Sequence, residues 1–155
     1  MTKKIMRRKA SDNVYLHRDF HGSLSIGIEY LDQHYGAEAV RQFLRQFAKS
    51  FYAPLTRSLR ERGLIVLKEH FEKIYQLEGG KIKTELSENE LVIEVESCPA
   101  VNYMRKHSHP VARLFHETTA TVNKAICEGT PFSAELVQYD KQTGKSLMRF
   151  TRSLL

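Results

Sequence analysis

The sequence predicts an α+β domain in which two hairpins form an antiparallel four-stranded sheet, with about five helices packed on one face. Two observations lead to this prediction. Apolar residues recur at helical spacing as far as Gly79-Gly80, and beyond that point they recur at every second residue. Two pairs of alternating segments then follow, and a short polar turn interrupts each pair.

Three helices are predicted in the first half of the chain. The first has Asp19 as its cap and ends at Gly36, because glycine commonly follows the last turn of a helix. The second should kink or end at Pro54, and its apolar stripe continues towards Gly63. The third ends at Gly79-Gly80.

The second half alternates between hairpins and helices. Strands are predicted near residues 81–87, 90–96, 132–139 and 146–151, with all pairings antiparallel. Cys98-Pro99 opens a short helix, because proline suits the first helical position. His109-Pro110 is predicted to start a longer helix that runs to about Cys127, with Gly129 after its end.

The longer helix, placed at ~100° per residue, has three faces. Its core face consists of Val111, Leu114, Phe115, Thr118, Val122, Ala125 and Ile126. Its charged, solvated face consists of Arg113, Glu117, Lys124 and Glu128. A third stripe consists of His116, Thr119, Ala120, Asn123 and Cys127. This third stripe is typical of the wall of a partly buried pocket, and equally of a helix flank shared between core and solvent.

Composition narrows the class of protein. The 155 residues carry a net charge of +6, and much of the excess lies in a basic, flexible tail over residues 1–12, followed by one domain over residues 13–155. A nucleic-acid partner is not expected, because no nucleic-acid-binding motif accompanies the charge. Two cysteines and no long apolar run favour a cytoplasmic location without membrane insertion. The expected partner is a small molecule, and homo-oligomerisation stays open.

Several common site motifs do not occur in the sequence. It has no glycine-rich phosphate loop, no G-x-S-x-G elbow and no H-E-x-x-H helix. His107 and His109 flank a turn, which is a weak pattern for zinc, so neither metal nor cofactor is expected.

Cys98 is the candidate nucleophile. It lies at the start of a predicted helix, where unpaired amides and the helix dipole lower a thiol pKa. The alternative is a small buried residue that closes the corner between strand and helix.

The chain also resembles a known family over most of its length after the basic tail. The segments that resemble it are DFH at 19–21, IGIEYL at 26–31, RQFAKSFYAPL at 45–55, EGG at 78–80, SCPAV at 97–101, ETT at 117–119, VN at 122–123 and ICEGTPF at 126–132. Together they resemble the L-2-amino-thiazoline-4-carboxylic acid hydrolase family. The resemblance implies a bacterial hydrolase that opens the ring of a cyclic amidine to an N-carbamoyl amino acid.

Opening the ring of such a substrate requires attack at the amidine carbon and departure of a thiolate. By type and position, Cys98 is the expected nucleophile, His116 the expected base or acid, and Asn123 the group that orients the amidine. Arg105 is the nearest cation in sequence for the substrate carboxylate. Other substrate contacts are expected from Thr119, Cys127 and His21.

The second half has another resemblance, in the order of its elements. Hairpin, helices and hairpin follow one another as in small-molecule-binding domains of the four-vinyl-reductase type. This resemblance implies a sensor or carrier that binds a ligand without turnover, which is the alternative to a hydrolase.

Overall fold

Helices and strands follow one another in the predicted order. The computed structural model describes residues 19–154, so the predicted tail lies outside the described residues. The helices are α1 (Asp19–Tyr35), α2 (Ala37–Phe51), α3 (Ala53–Arg62), α4 (Ile65–Glu78), α5 (Pro99–Lys106) and α6 (Glu117–Cys127). The strands are β1 (Lys81–Leu86), β2 (Glu90–Ser97), β3 (Phe132–Tyr139) and β4 (Ser146–Arg152). All strand pairings are antiparallel, in the order β1-β2-β4-β3, which confirms the predicted α+β fold class.

The breaks between the first helices lie where the sequence predicts them. Gly36, with a positive φ of 86°, separates α1 from α2, a conformation that glycine adopts without steric cost. Pro54 lies in the first turn of α3, so α2 ends before it. The side chain of Asp19 is not among those described, so its role as a helix cap stays a prediction.

The start of α6 differs from the prediction. The helix begins at Glu117 rather than at Pro110. The hydroxyl of Ser25, on α1, donates to the carbonyl of Pro110 (3.1 Å) and accepts from the amide of Ala112 (2.8 Å). These bonds hold residues 110–112 in a non-helical path against α1. The amide of Phe115 then bonds to the carbonyl of Ala112, within a series of short turns that precedes the helix.

Glu117 was predicted on a charged, solvated face, and this is wrong. Glu117 is only 7% exposed. Its carboxylate accepts from Arg41 Nε at 3.1 Å and from Thr121 Oγ1 at 2.6 Å, so the charge is paired where α2 meets α6. These bonds hold the pKa of Glu117 below its usual range although burial acts in the opposite direction.

The sheet has one covered face and one exposed face, as the alternating sequence requires. Every second residue of the two central strands faces the helices: Leu91, Ile93, Val95, Ser146, Met148 and Phe150 are buried. On the opposite face, Arg149 lies 3.5 Å from a carboxylate oxygen of Glu90 and 3.8 Å from one of Glu135. The helices therefore enclose a core against a single side of the sheet. No helix within residues 19–154 is long and apolar enough to cross a membrane.

Candidate functional site

A cavity of about 410 Å³ lies between the helices and the covered face of the sheet. Residues of α1, α2, α4 and α6 line it, together with the start of α5 and residues of β3 and β4. Eight phenylalanine and tyrosine side chains form what we call the aromatic wall: Phe20, Phe47, Phe51, Tyr52, Phe71, Tyr75, Phe115 and Tyr139. An aromatic cavity with a few polar groups is typical of small-molecule sites.

Ring contacts through Tyr52, which lies between α2 and α3, connect part of the aromatic wall to α4. The rings of Phe51 and Tyr52 meet edge to face, with centroids 4.9 Å apart, and Tyr52 meets His70 in the same way at 5.7 Å. This geometry is the one that aromatic quadrupoles favour. His70 lies among these rings, and burial lowers its pKa to about 4, with a smaller effect from the charge of Lys73.

One hydrogen-bonded pair of ionisable side chains in the cavity wall joins α1 to α4. Nε2 of His21, on α1, lies 2.8 Å from Oε1 of Glu78, at the end of α4. The two side chains are only 12% and 10% exposed. Because Glu78 fixes one ring nitrogen of His21, the histidine has a defined orientation, which a general base requires. His21 was predicted as a substrate-binding residue, and it lines the cavity.

Cys98 also lines the cavity, at the N-cap of α5 as predicted. Its predicted thiolate character is wrong. Burial raises the pKa of the thiol, and the amides of Val101 and Ala100 oppose this effect only in part. A buried thiol loses more from the removal of water than it gains from two helix amides. Cys98 is therefore protonated at neutral pH.

Two residues of the predicted third stripe line the cavity: Thr119 and Asn123. Asn123 is buried, and its amide nitrogen lies 3.3 Å from the sulfur of Met148 on the sheet. Cys127 does not line the cavity. It is 3% exposed, and burial raises its thiol pKa to about 12.

His116, the residue before the start of α6, does not line the cavity. Its ring contacts Tyr139, which does line the cavity, at a centroid distance of 5.7 Å. Burial lowers the pKa of His116, while neighbouring Glu117 has an opposing effect. The structure therefore places His116 behind the cavity wall.

Arg105 is not brought into the cavity either. Its guanidinium donates to the carbonyls of Gln142 and Lys141, at 3.3 and 3.4 Å, in the turn between β3 and β4. Arg105 therefore holds this turn. A substrate carboxylate inside the cavity would not meet it.

Sequence reasoning missed the contribution of α4. His70, Tyr75 and Glu78 all line the cavity, but no site residue was predicted on α4. One signal was available: Glu78 lies four residues after Ile74, so it continues the apolar stripe with a carboxylate. A carboxylate on the buried stripe of a helix needs a partner, and here the partner is His21.

No protein-family model matches the chain, and no curated protein matches it in sequence. Within the described residues, no group of three histidine, cysteine or acidic side chains could hold a metal ion.

Proposed function

We propose that the chain binds a small, cyclic and largely apolar molecule in the central cavity. The observation that carries this proposal is the aromatic wall around about 410 Å³ of space. Protein interiors are normally packed with few voids larger than a water molecule. Ligand sites usually enclose roughly 300–1,000 Å³. The aromatic wall supplies apolar contact area, and the polar groups of the wall give the ligand an orientation.

A fluorescent dye tests this proposal directly. N-phenyl-1-naphthylamine is neutral, and its emission rises when it leaves water for an apolar site. We expect saturable binding to the intact chain with a Kd near or below ~10 μM, as for a moderate apolar contact area.

A matched pair of variants on α6 locates the dye. Thr119→Phe places a ring in the cavity and should weaken dye binding about tenfold or more. A small loss of contact free energy is enough to raise the Kd by this factor. Lys124→Phe, at an exposed position of the same helix, should leave binding unchanged. Absence of binding in the folded wild-type chain, or equal binding by both variants, contradicts the proposal.

Ring-opening hydrolysis is a second candidate function. The observation that favours it is that the pair His21–Glu78 and the thiol of Cys98 line the same cavity. In this scheme, His21 takes a proton from water, and the oxygen adds to the amidine carbon. The carbon–sulfur bond then breaks as a carbonyl forms, so that one proton of the water goes to the sulfur and the other to the ring nitrogen. One water is consumed and one thiol is released. Because Cys98 is protonated, this route is favoured over direct attack by its sulfur.

Thiol release from 2-amino-thiazoline-4-carboxylate tests the hydrolase candidate. His21→Ala should lower the rate about 10²-fold or more, a typical contribution of a general base. Cys98→Ala should retain most of the activity, and Asn123→Ala should have an intermediate effect. His116→Ala is the matched control, since its ring lies behind the wall.

Two results would change this assignment. Equal losses in His116→Ala and His21→Ala would restore His116 as the base, as the sequence analysis predicts. No thiol release from several thiazolines, with dye binding intact, would leave ligand binding without turnover.

A further inference from the structure

The cavity has an uneven set of charges. Its ionisable groups are the carboxylate of Glu78, the imidazoles of His21 and His70, the thiol of Cys98 and the tyrosine hydroxyls. Among the described residues, no lysine and no arginine lines it. Glu78 is the only acidic side chain among the described residues that line the cavity.

The influence of Glu78 reaches other parts of the wall. Burial raises the pKa of Tyr52, and the charge of Glu78 adds to this effect. Burial also raises the pKa of Tyr75, and Cys98, Glu78 and Tyr139 add to this effect in decreasing order. The interior field of the cavity thus disfavours additional negative charge at several positions.

The cations near the cavity lie outside its lining. Arg105 is bound to the carbonyls of the turn between β3 and β4. Lys73 is exposed on α4 and acts on His70 from outside the lining. In addition, the faces of the aromatic wall carry the negative side of their quadrupoles, which attract a cation and repel an anion.

We infer that the ligand of this cavity carries a positively charged nitrogen, such as a protonated amine, on an apolar ring body, and that Glu78 receives this nitrogen. The inference rests on the proposed binding function and names the chemical class of the ligand. The ammonium group would share the carboxylate with His21, and the ring body would contact the aromatic wall. A hydrogen bond between two charged groups is about twice as strong as a neutral one.

Three probes of nearly equal shape test the charge of the ligand: 2-naphthylmethylamine, 2-naphthylmethanol and 2-naphthoate. Each competes with N-phenyl-1-naphthylamine at neutral pH. We expect the amine to bind about tenfold more tightly than the alcohol, and the carboxylate to bind most weakly.

A matched pair of variants on α4 tests the role of Glu78. Glu78→Gln keeps a side-chain oxygen that can accept from His21, so folding should be retained. We expect the preference for the amine over the alcohol to fall to about twofold or less. Glu69→Gln, at an exposed position of the same helix, should keep the full preference.

The outcomes separate this inference from the function on which it rests. If the dye binds but the carboxylate or the alcohol binds more tightly than the amine, the charge inference is overturned and ligand binding stands. A preference for the amine that survives in Glu78→Gln also overturns it. If neither the dye nor any probe binds, both proposals fail.

Discussion

Gly144→Ala probes a close backbone approach at the cavity. Gly144 lies in the turn between β3 and β4 with a φ of +73°. A methyl group there would lie 2.7 Å from Cβ of Cys98 and 2.8 Å from Cγ2 of Val101. Gly129 is the matched control, because its φ is +72° and a methyl group there would meet nothing within 4 Å. The two substitutions therefore share a backbone cost and differ in the steric contact.

The size of each effect follows from this geometry. An alanine in the left-handed region costs ~1–2 kcal/mol, and this applies to both positions. An extra methyl group in a packed site adds ~1–3 kcal/mol. We therefore expect Gly129→Ala to lower the free energy of unfolding by ~1–2 kcal/mol, and Gly144→Ala by ~2–5 kcal/mol.

Urea denaturation measures both variants. The midpoint should fall further for Gly144→Ala, with the slope unchanged in each case. Dye binding should also weaken in Gly144→Ala and stay constant in Gly129→Ala, since Gly144 lines the cavity. Equal losses of stability would refute the contact between the turn and Cys98.

Three more predictions follow from ionisable groups. Cys98 should react slowly with iodoacetamide at neutral pH and faster only above the ordinary thiol pKa of about 8.5, as judged by peptide mass; rapid alkylation at pH 7 would contradict its raised pKa. His70 should titrate in NMR spectra near its pKa of about 4. The unfolded chain binds this proton near pH 6.5, so the free energy of unfolding should fall as the pH is lowered from about 6.5 towards 4. His70→Gln should reduce this pH-dependent loss by a few kcal/mol at most. A titration of His70 near pH 6.5 would contradict the lowered pKa. Arg45 and then Lys49 hold the pKa of Glu128 at about 2, so its stabilising effect is present above the unfolded pKa and lost as pH falls from 4.5 to about 2. Glu128→Gln should thus cost about 1 kcal/mol or less at neutral pH and nothing near pH 2, and a cost independent of pH would contradict the ion pair.

The elements that the sequence predicts well are those with local causes. The strand at 132–139 and the end of α4 before Gly79 depend on alternation and on chain-breaking residues within a few positions. The start of α6 has a distant cause. Ser25 lies 87 residues before Ala112, and no local pattern reveals that its hydroxyl holds residues 110–112 out of a helix.

The candidate site divides in the same way. Thr119 and Asn123 reach the cavity because helical spacing fixes which residues share a face of α6. The pairing of His21 with Glu78 joins residues 57 positions apart and depends on how α1 packs beside α4. The protonation of Cys98 depends on burial, which the helix start alone does not reveal.

The order of the strands has a consequence for behaviour at high concentration. β1 and β3 are the outer strands, and their unpaired backbone groups could template pairing with another chain. Lys81, Lys83 and Glu85 place exposed charges along β1, and the pairing of β3 shifts register between Leu136 and Gln138. Charged residues and irregular edges discourage such growth. Fibrillar assembly through the edges of this sheet is therefore disfavoured.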